Sequence, residues 1–434
     1  MPEVAARADP RAKPAAARRR LLRRAASIAR DLTFSAADGL VARAGRRRAA
    51  PPRPLGRSRL AIILVHGIGD LVIWRAALAR IAALYPPERF ETTLFCSARA
   101  LDFAKAFVGA DRYIAIDRQR FRLELGYRAR IVRETAAAGF AVAIQPSFNR
   151  YFLVEDALVR ATGARERIGA RGTDVFIRGY ERKISDRWYT RIVANAPDRM
   201  HDLRRSQEFV DGLTTPGDPV RLAPLPSPRG SSVSFGRYVV LAIGASSPLK
   251  TWPLDRFEAV AHGLAAATEL RVVFSGDGPP AELGKRFARW DERRFIDTVG
   301  KTDICELVAI LSGADLVVSN DTATAHIALA LHRPTIVVSG GGLPARYHPY
   351  PPDAIEAEER ARLLPLAVTQ PMPCFDCGWH CKYAVPAGQA APCVTAIPAE
   401  AVLRAALARL PDAFTPTGPR AERPRPAAWR TPHS

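Results

Sequence analysis

The chain has no uninterrupted apolar run of about 18 residues, so no segment has the make-up of a membrane-spanning helix. Its N-terminus is basic, but Arg interrupts every apolar stretch there, which leaves no core for a secretory signal peptide. A cytoplasmic protein is expected, resting peripherally on the inner face of the cell membrane. Acidic residues are in short supply, with 43 Asp and Glu against 64 Lys and Arg, a formal net charge of +21. The excess is uneven: residues 1–59 hold 15 Arg and one Lys against four acids, so this arm alone carries +12. The basicity therefore describes an arm more than a fold. Aromatic residues are nearly absent from that arm, which leaves little for stacking on bases and disfavours nucleic acid as the partner.

Two nucleotide-binding signatures are also missing. His66-Gly67-Ile68-Gly69-Asp70 follows the apolar run 60–65 (LAIILV), but the dinucleotide fingerprint needs a third glycine where Val72 stands. Gly300-Lys301-Thr302 has Phe295 in place of the first glycine of a phosphate-binding P-loop. What remains at the first turn is a carboxylate, Asp70, held by Gly67 and Gly69 at the C-terminal edge of a buried strand, where open α/β sheets place ligands. A helix N-cap is an equally good role for it.

At 434 residues, 48% of them hydrophobic, the chain is long enough for two domains with proper cores. Residues 1–59 read as a basic, largely disordered arm. Within it, residues 18–32 carry Leu21, Leu22, Ala25, Ile28, Ala29 and Leu32 on one face and Arg on the other. A basic amphipathic helix suits an anionic membrane surface; docking on the protein's own core is the alternative. Residues 46–59 read as a Pro/Arg linker. From residue 60 strands alternate with helices, with strands at 92–95, 114–116 and 141–144, the pattern of a parallel, helix-covered sheet. Residues 150–215 are mixed, with an aromatic and basic patch around Trp188. Five prolines within 216–230 mark a linker, placing an N-terminal domain at 60–228 and a second at 229–410. Residues 411–434 are Pro/Arg-rich and read as disordered.

The second half restarts the rhythm at strand 238–243. The small-residue loop containing Gly244 and Ser246 lets backbone N–H groups approach a ligand, and Lys250 supplies a charge suited to phosphate. A surface Lys in a turn is the plainer role. Strand 271–274 runs into a glycine turn, after which Glu282 opens a helix and either accepts from ribose hydroxyls or only complements the helix dipole. Strands 316–318 and 335–338 then bracket a helix of about three turns starting near Thr322. Asp321 and Thr322 stand at its N-terminal corner, where unpaired N–H groups favour an anion, though Asp321 also suits a simple cap. Four of six cysteines cluster as Cys374-x2-Cys377-x3-Cys381-x11-Cys393, with His380 between them. Clustered thiols in a cytosolic chain point toward metal, a structural zinc on four thiolates or three with His380 ahead of an iron–sulfur cluster, although the spacing matches no standard finger.

Taken together, HGIGD, KTWP with its helix, the Gly-Lys-Thr stretch and SNDTATAH resemble the lipopolysaccharide heptosyltransferase family, glycosyltransferase family 9, over roughly residues 60–410. The resemblance implies an α/β fold of GT-B type, two Rossmann-like parallel-sheet domains facing a cleft. It implies inverting, metal-independent transfer of a sugar, commonly heptose from ADP-heptose, onto a lipopolysaccharide-core or other lipid-linked glycan acceptor. Asp70 then corresponds to the general base and Lys250 to the diphosphate-contacting lysine. Asp321, Thr322 and His326 match the donor-binding loop, and Glu282 a ribose-binding glutamate. Two departures stand out: Ala323 replaces the usual glycine after the Asp-Thr pair, and Ser339-Gly340-Gly341-Gly342 replaces a Phe-Gly turn. A non-catalytic nucleotide- or glycan-binding member of the same fold is the alternative.

Overall fold

The computed structural model describes residues 12–47, 56–173, 177–197, 199–227, 235–277 and 290–411. Two all-parallel six-stranded sheets dominate it. The first comprises β1 (Ser58–Leu64), β2 (Phe90–Ser97), β3 (Arg112–Ile116), β4 (Val142–Gln145), β5 (Glu166–Ala170) and β6 (Arg191–Val193), in the order β3-β2-β1-β4-β5-β6. The second comprises β7 (Tyr238–Ala242), β8 (Arg271–Ser275), β9 (Phe295–Asp297), β10 (Leu316–Asn320), β11 (Thr335–Val338) and β12 (Leu366–Val368), in the order β12-β11-β10-β7-β8-β9. β7 and β10 are buried along their whole length, as expected of apolar strands covered by helices on both faces.

The central strands coincide with the expected ones to within two residues. β5, β6 and β12 were not anticipated. β6 and β12 are three-residue edge strands, and β5 opens on Glu166-Arg167, so none shows a clear apolar run. The mixed stretch 150–215 resolves into a helical segment over 152–162, β5, the helix Gly179–Ser185, β6 and the helix Asp202–Asp211. The Trp188 patch is structural in part, since Trp188 stacks on Phe152 at 5.2 Å and the buried Tyr189 donates to Asp156.

The arm departs most from expectation. Ala12–Arg46 is one helix of 35 residues, extending through 33–45 where no element was foreseen. Its docking face is not the apolar one. Asp31, Ser35, Asp38 and Ala42, spaced by four, three and four residues, are buried against the first sheet's helices, whereas Ala25, Ala29, Leu32 and Leu40 are exposed. Arg128 grips Asp38 with both guanidinium branches, at 2.8 and 2.5 Å, and Arg178 and Tyr180 both reach Asp31. Gly45 permits the close approach of this helix to the helix Leu125–Ala137: a Cβ there would come within 2.8 Å of the Arg133 carbonyl oxygen. The arm's remaining residues up to 11 and most of the Pro/Arg linker, like the tail beyond 411, lie outside the described residues.

The segment expected to join the halves is fixed on its N-terminal side. Arg75 donates to the carbonyls of Ala223 and Pro224, Arg80 donates to Asp218 and Pro219, and Val220, Leu222 and Leu225 are buried. One apolar cluster runs across both halves, bringing Val72 and Leu78 of the helix Ile68–Leu84 together with Ile327 and Ala328 of the helix Ala323–Ala330. The two loop systems at the C-terminal ends of the strands thus meet across a cleft.

Candidate active site

Asp70 belongs to the first turn of the helix Ile68–Leu84, immediately after β1. Its two oxygens have separate partners. Oδ2 accepts from the Gly67 N–H at 3.1 Å, closing the turn as a cap would, while Oδ1 accepts from the Tyr347 hydroxyl at 3.4 Å. Tyr347 lies in the second half, so the contact crosses the cleft. Gly69 is needed for closeness: a Cβ there would stand 2.9 Å from the His326 ring and 3.4 Å from the Ala323 Cα.

Lys250 ends the short helical turn Pro248–Lys250 and points to Asp321, with Nζ 3.7 Å from Oδ2. The rings of Trp379 and Tyr347 lie 5.1 and 5.6 Å from the same ammonium, framing it on two sides. Asp321 is buried at the end of β10. Burial, the largest single effect, would raise its pKa, but Lys250, His348 and His326 together outweigh it and hold the carboxyl below its ordinary value. Thr322, not Asp321, is the N-cap, and it makes no capping bond; its Oγ1 pairs with Ser319 Oγ at 3.3 Å. The helix Ala323–Ala330 has about two turns rather than three. His332, at φ 58°, and Pro334 end the helical path.

Gly244 is the point where the β7 and β8 loops touch, for a Cβ there would meet the Asp277 N–H at 3.0 Å. Ser246 is exposed on the rim of the same loop. Glu282 lies outside the described residues.

The first-half wall is built on buried charges. Glu155 is fully buried 3.9 Å from Arg118 and 4.0 Å from His66, and burial pushes its carboxyl up to about 7. Arg346 pairs with Asp202 across the cleft at 3.3 Å, and burial raises Asp202 to about 6 despite this partner. His201 Nε2 meets the Tyr347 carbonyl at 2.7 Å, fastening the 343–350 loop to the first half. Beside these groups a cavity of about 270 Å³ is lined by Asn149, Arg199, Asp202, Arg205, Arg346 and Asp376, among others.

Asp70, Lys250, Asp321, Thr322, Ala323 and His326 thus converge on one cleft, as expected from the sequence. Tyr347, Arg346, His348 and Asn320 were missed. Asn320 accepts from the Trp252 N–H and donates to the Ile243 and Gly244 carbonyls, tying the Lys250 loop to β10. An asparagine ending a buried strand beside Asp321 is the signal that could have revealed it.

The four clustered cysteines are free thiols. Cys393 Sγ accepts from the Gly341 N–H at 3.4 Å, and burial raises its pKa. Among the described residues no three of these thiols converge within 4.8 Å, though Cys374, Cys377 and Cys381 all lie near enough to Cys393 to raise its pKa. The side chains that do converge to that degree are Asp321, His326 and His348.

The model of the family described as glycosyltransferase family 9 (heptosyltransferase) matches residues 154–364. Lipopolysaccharide heptosyltransferase 1 of Escherichia coli K12 is 30% identical over 106 residues, 24% of this chain and 32% of that protein. The Salmonella typhimurium LT2 protein of the same name is 31% identical over 104 residues, with the same shares. The chain therefore aligns with about a third of the length of these relatives. Among solved structures, a family 9 glycosyl transferase from Veillonella parvula superposes with a TM-score of 0.59 at 16% identity, covering 82% of this chain and 98% of that one. The E. coli ADP-heptose LPS heptosyltransferase II gives 0.52 at 16% identity, covering 81% and 98%. At such identities the likeness is one of fold, and two parallel α/β sheets across a cleft are the GT-B arrangement.

Proposed function

We propose that the chain is an inverting glycosyltransferase of family 9, the family whose model matches residues 154–364. It moves a sugar, heptose from ADP-heptose in the first instance, onto a lipopolysaccharide-core or related lipid-linked acceptor. The observation that carries this is the meeting of Asp70 from the first half with Lys250 and Asp321 from the second, joined through Tyr347. In this reading residues 60–228 form the acceptor side and 229–410 the donor side.

An acceptor hydroxyl entering beside Asp70 gives its proton to that carboxylate as its oxygen attacks the anomeric carbon. The bond from that carbon to the diphosphate oxygen breaks on the opposite face, and the nucleoside diphosphate leaves with the electron pair. A positioned base contributes a factor of about 10²–10⁴. Lys250 neutralises charge growing on the leaving diphosphate, so no step is routed through a metal. Arg205 and Arg346 in the neighbouring cavity suit an anionic acceptor. Trp379 links the cysteine loop to the donor pocket by covering Lys250.

Peripheral membrane contact belongs to the same proposal. Leu32 and Leu40 are 43% and 66% exposed on the N-terminal helix. Near its end a cavity of about 330 Å³ is lined by Arg46, Arg160, Arg167, Arg187 and Trp188. Exposed leucines beside a basic pocket suit anionic lipid.

A non-catalytic, nucleotide-binding role has Ala323 in its favour. Product formation separates the two: ADP-heptose and a truncated core acceptor should yield glycosylated product with wild-type protein. Nucleotide binding without product from any nucleotide sugar tried would leave the binding role.

A further inference from the structure

One buried side chain in the donor pocket is left without a role by this scheme. His348 is only 6% exposed, and neither ring nitrogen meets a hydrogen-bond partner. A buried polar group left without a partner is costly, so its persistence next to a ligand pocket points to something that binds it. Its ring lies parallel to that of His326, at 3° and a centroid distance of 5.0 Å, and its Nε2 is 3.7 Å from Asp321 Oδ1.

We propose that Asp321, His326 and His348 form a site for one divalent transition-metal ion, of which zinc fits best. One ligand atom from each lies within 4.8 Å of the other two, and all three side chains are buried. A zinc ion at about 2.0–2.2 Å from each would bring the atoms to roughly 3.4 Å apart, a modest closure. Two imidazoles and one carboxylate leave a fourth position open, the make-up of a site that also takes a ligand. The imidazoles are in the state a metal needs. Both rings are buried, an environment that disfavours their charged form and leaves each a lone pair to offer. His326 Nδ1 is 2.7 Å from the Tyr350 hydroxyl, the kind of outer partner that fixes a ligating ring. The carboxylate is divided: Oδ1 faces His348, while Oδ2 faces Lys250. The ion therefore leaves the lysine its own oxygen.

An ion on one side of Asp321 and an ammonium on the other leave net positive charge in the pocket. A nucleoside diphosphate balances it, so metal and nucleotide should strengthen each other's binding by one common factor. This coupling rests on the donor-pocket reading; the metal site itself does not. The ion is an addition to the pocket and takes no part in the transfer step.

The full chain, stripped with a chelator and checked for folding by circular dichroism, would be titrated with zinc by calorimetry. One equivalent should bind, and His348→Gln should weaken it at least tenfold. To separate this site from any zinc held by the cysteine thiols, the same titration is run on Cys377→Ser/Cys381→Ser, which should retain the site. Cobalt, used as a spectroscopic probe, should show no thiolate charge-transfer band. Asp321→Asn provides a second ligand variant should His348→Gln fold poorly. Unchanged zinc affinity in both ligand variants, loss of binding only in the cysteine variant, or no binding at all would each overturn the proposal. If zinc binds and ADP does not, the site stands and the donor-pocket reading fails.

Discussion

At the scale of single residues, the proposed mechanism gives Asp70 and Lys250 distinguishable tasks. Asp70 touches no phosphate-binding group and faces Tyr347 across the cleft. Asp70→Asn should therefore reduce transfer by at least about 10² while nucleotide affinity stays within a factor of two. Comparable turnover in that variant removes Asp70 as the base. Lys250 pairs with Asp321 inside the proposed donor pocket. A hydrogen bond to a charged group contributes about 1.5–3 kcal/mol, so Lys250→Ala should weaken ADP binding roughly 10- to 100-fold by calorimetry. Equal affinity would make it a surface charge. The placement of both residues at the cleft was legible because each lies beyond a buried apolar strand, where α/β sheets place their ligands. Tyr347, Arg346 and His348 were not. They come from a loop with no pattern of its own, brought to the cleft by contacts with His201 and Asp202 more than 140 positions away.

At the scale of elements, the N-terminal helix shows where periodicity misleads. Its apolar stripe was readable, but the side that docks is acidic and small because Arg128 and Arg178 wait for it on the first half. Partners that far away in sequence leave no local trace. The Asp38–Arg128 pair is buried on both sides. Asp38→Ala leaves an unpaired guanidinium and should cost about 3–5 kcal/mol, seen as a lowered melting temperature. Replacing both with apolar residues of similar volume should recover much of the loss. Little change in the single variant would show that the helix does not hold to the core. The unclaimed stripe gives a separate outcome: Leu32→Glu/Leu40→Glu should reduce sedimentation with anionic vesicles and leave sedimentation with zwitterionic vesicles unaffected. Binding unchanged by the substitutions would remove the stripe from the membrane contact.

At the scale of the whole molecule, both central sheets were legible, since their strands are continuous apolar runs broken by small-residue turns. The interface between the halves was not, and it carries an unusual load of buried titratable groups. Burial lowers His66, His201, His326 and His348 to about 4, 3, 3 and 4. Between pH 6.5 and about 4 the unfolded chain binds protons at these positions that the folded chain refuses, so stability falls as pH drops through that window. Glu155 and Asp202, raised by burial to about 7 and 6, act in the opposite sense, gaining protons in the folded state first. Four histidines outweigh two acids, and the melting temperature should fall between pH 6.5 and 4.5. A rise over that range would mean the histidines are not buried as described.

The central claim, a nucleotide-sugar pocket built on Lys250 and Asp321, is tested most directly by thermal shift against ADP, GDP and UDP. A nucleotide at 100 times its dissociation constant stabilises by about 2.7 kcal/mol, a shift easily measured. ADP should raise the melting temperature of the wild type and have little effect on Lys250→Ala. No stabilisation of the wild type by any of the three would contradict the account.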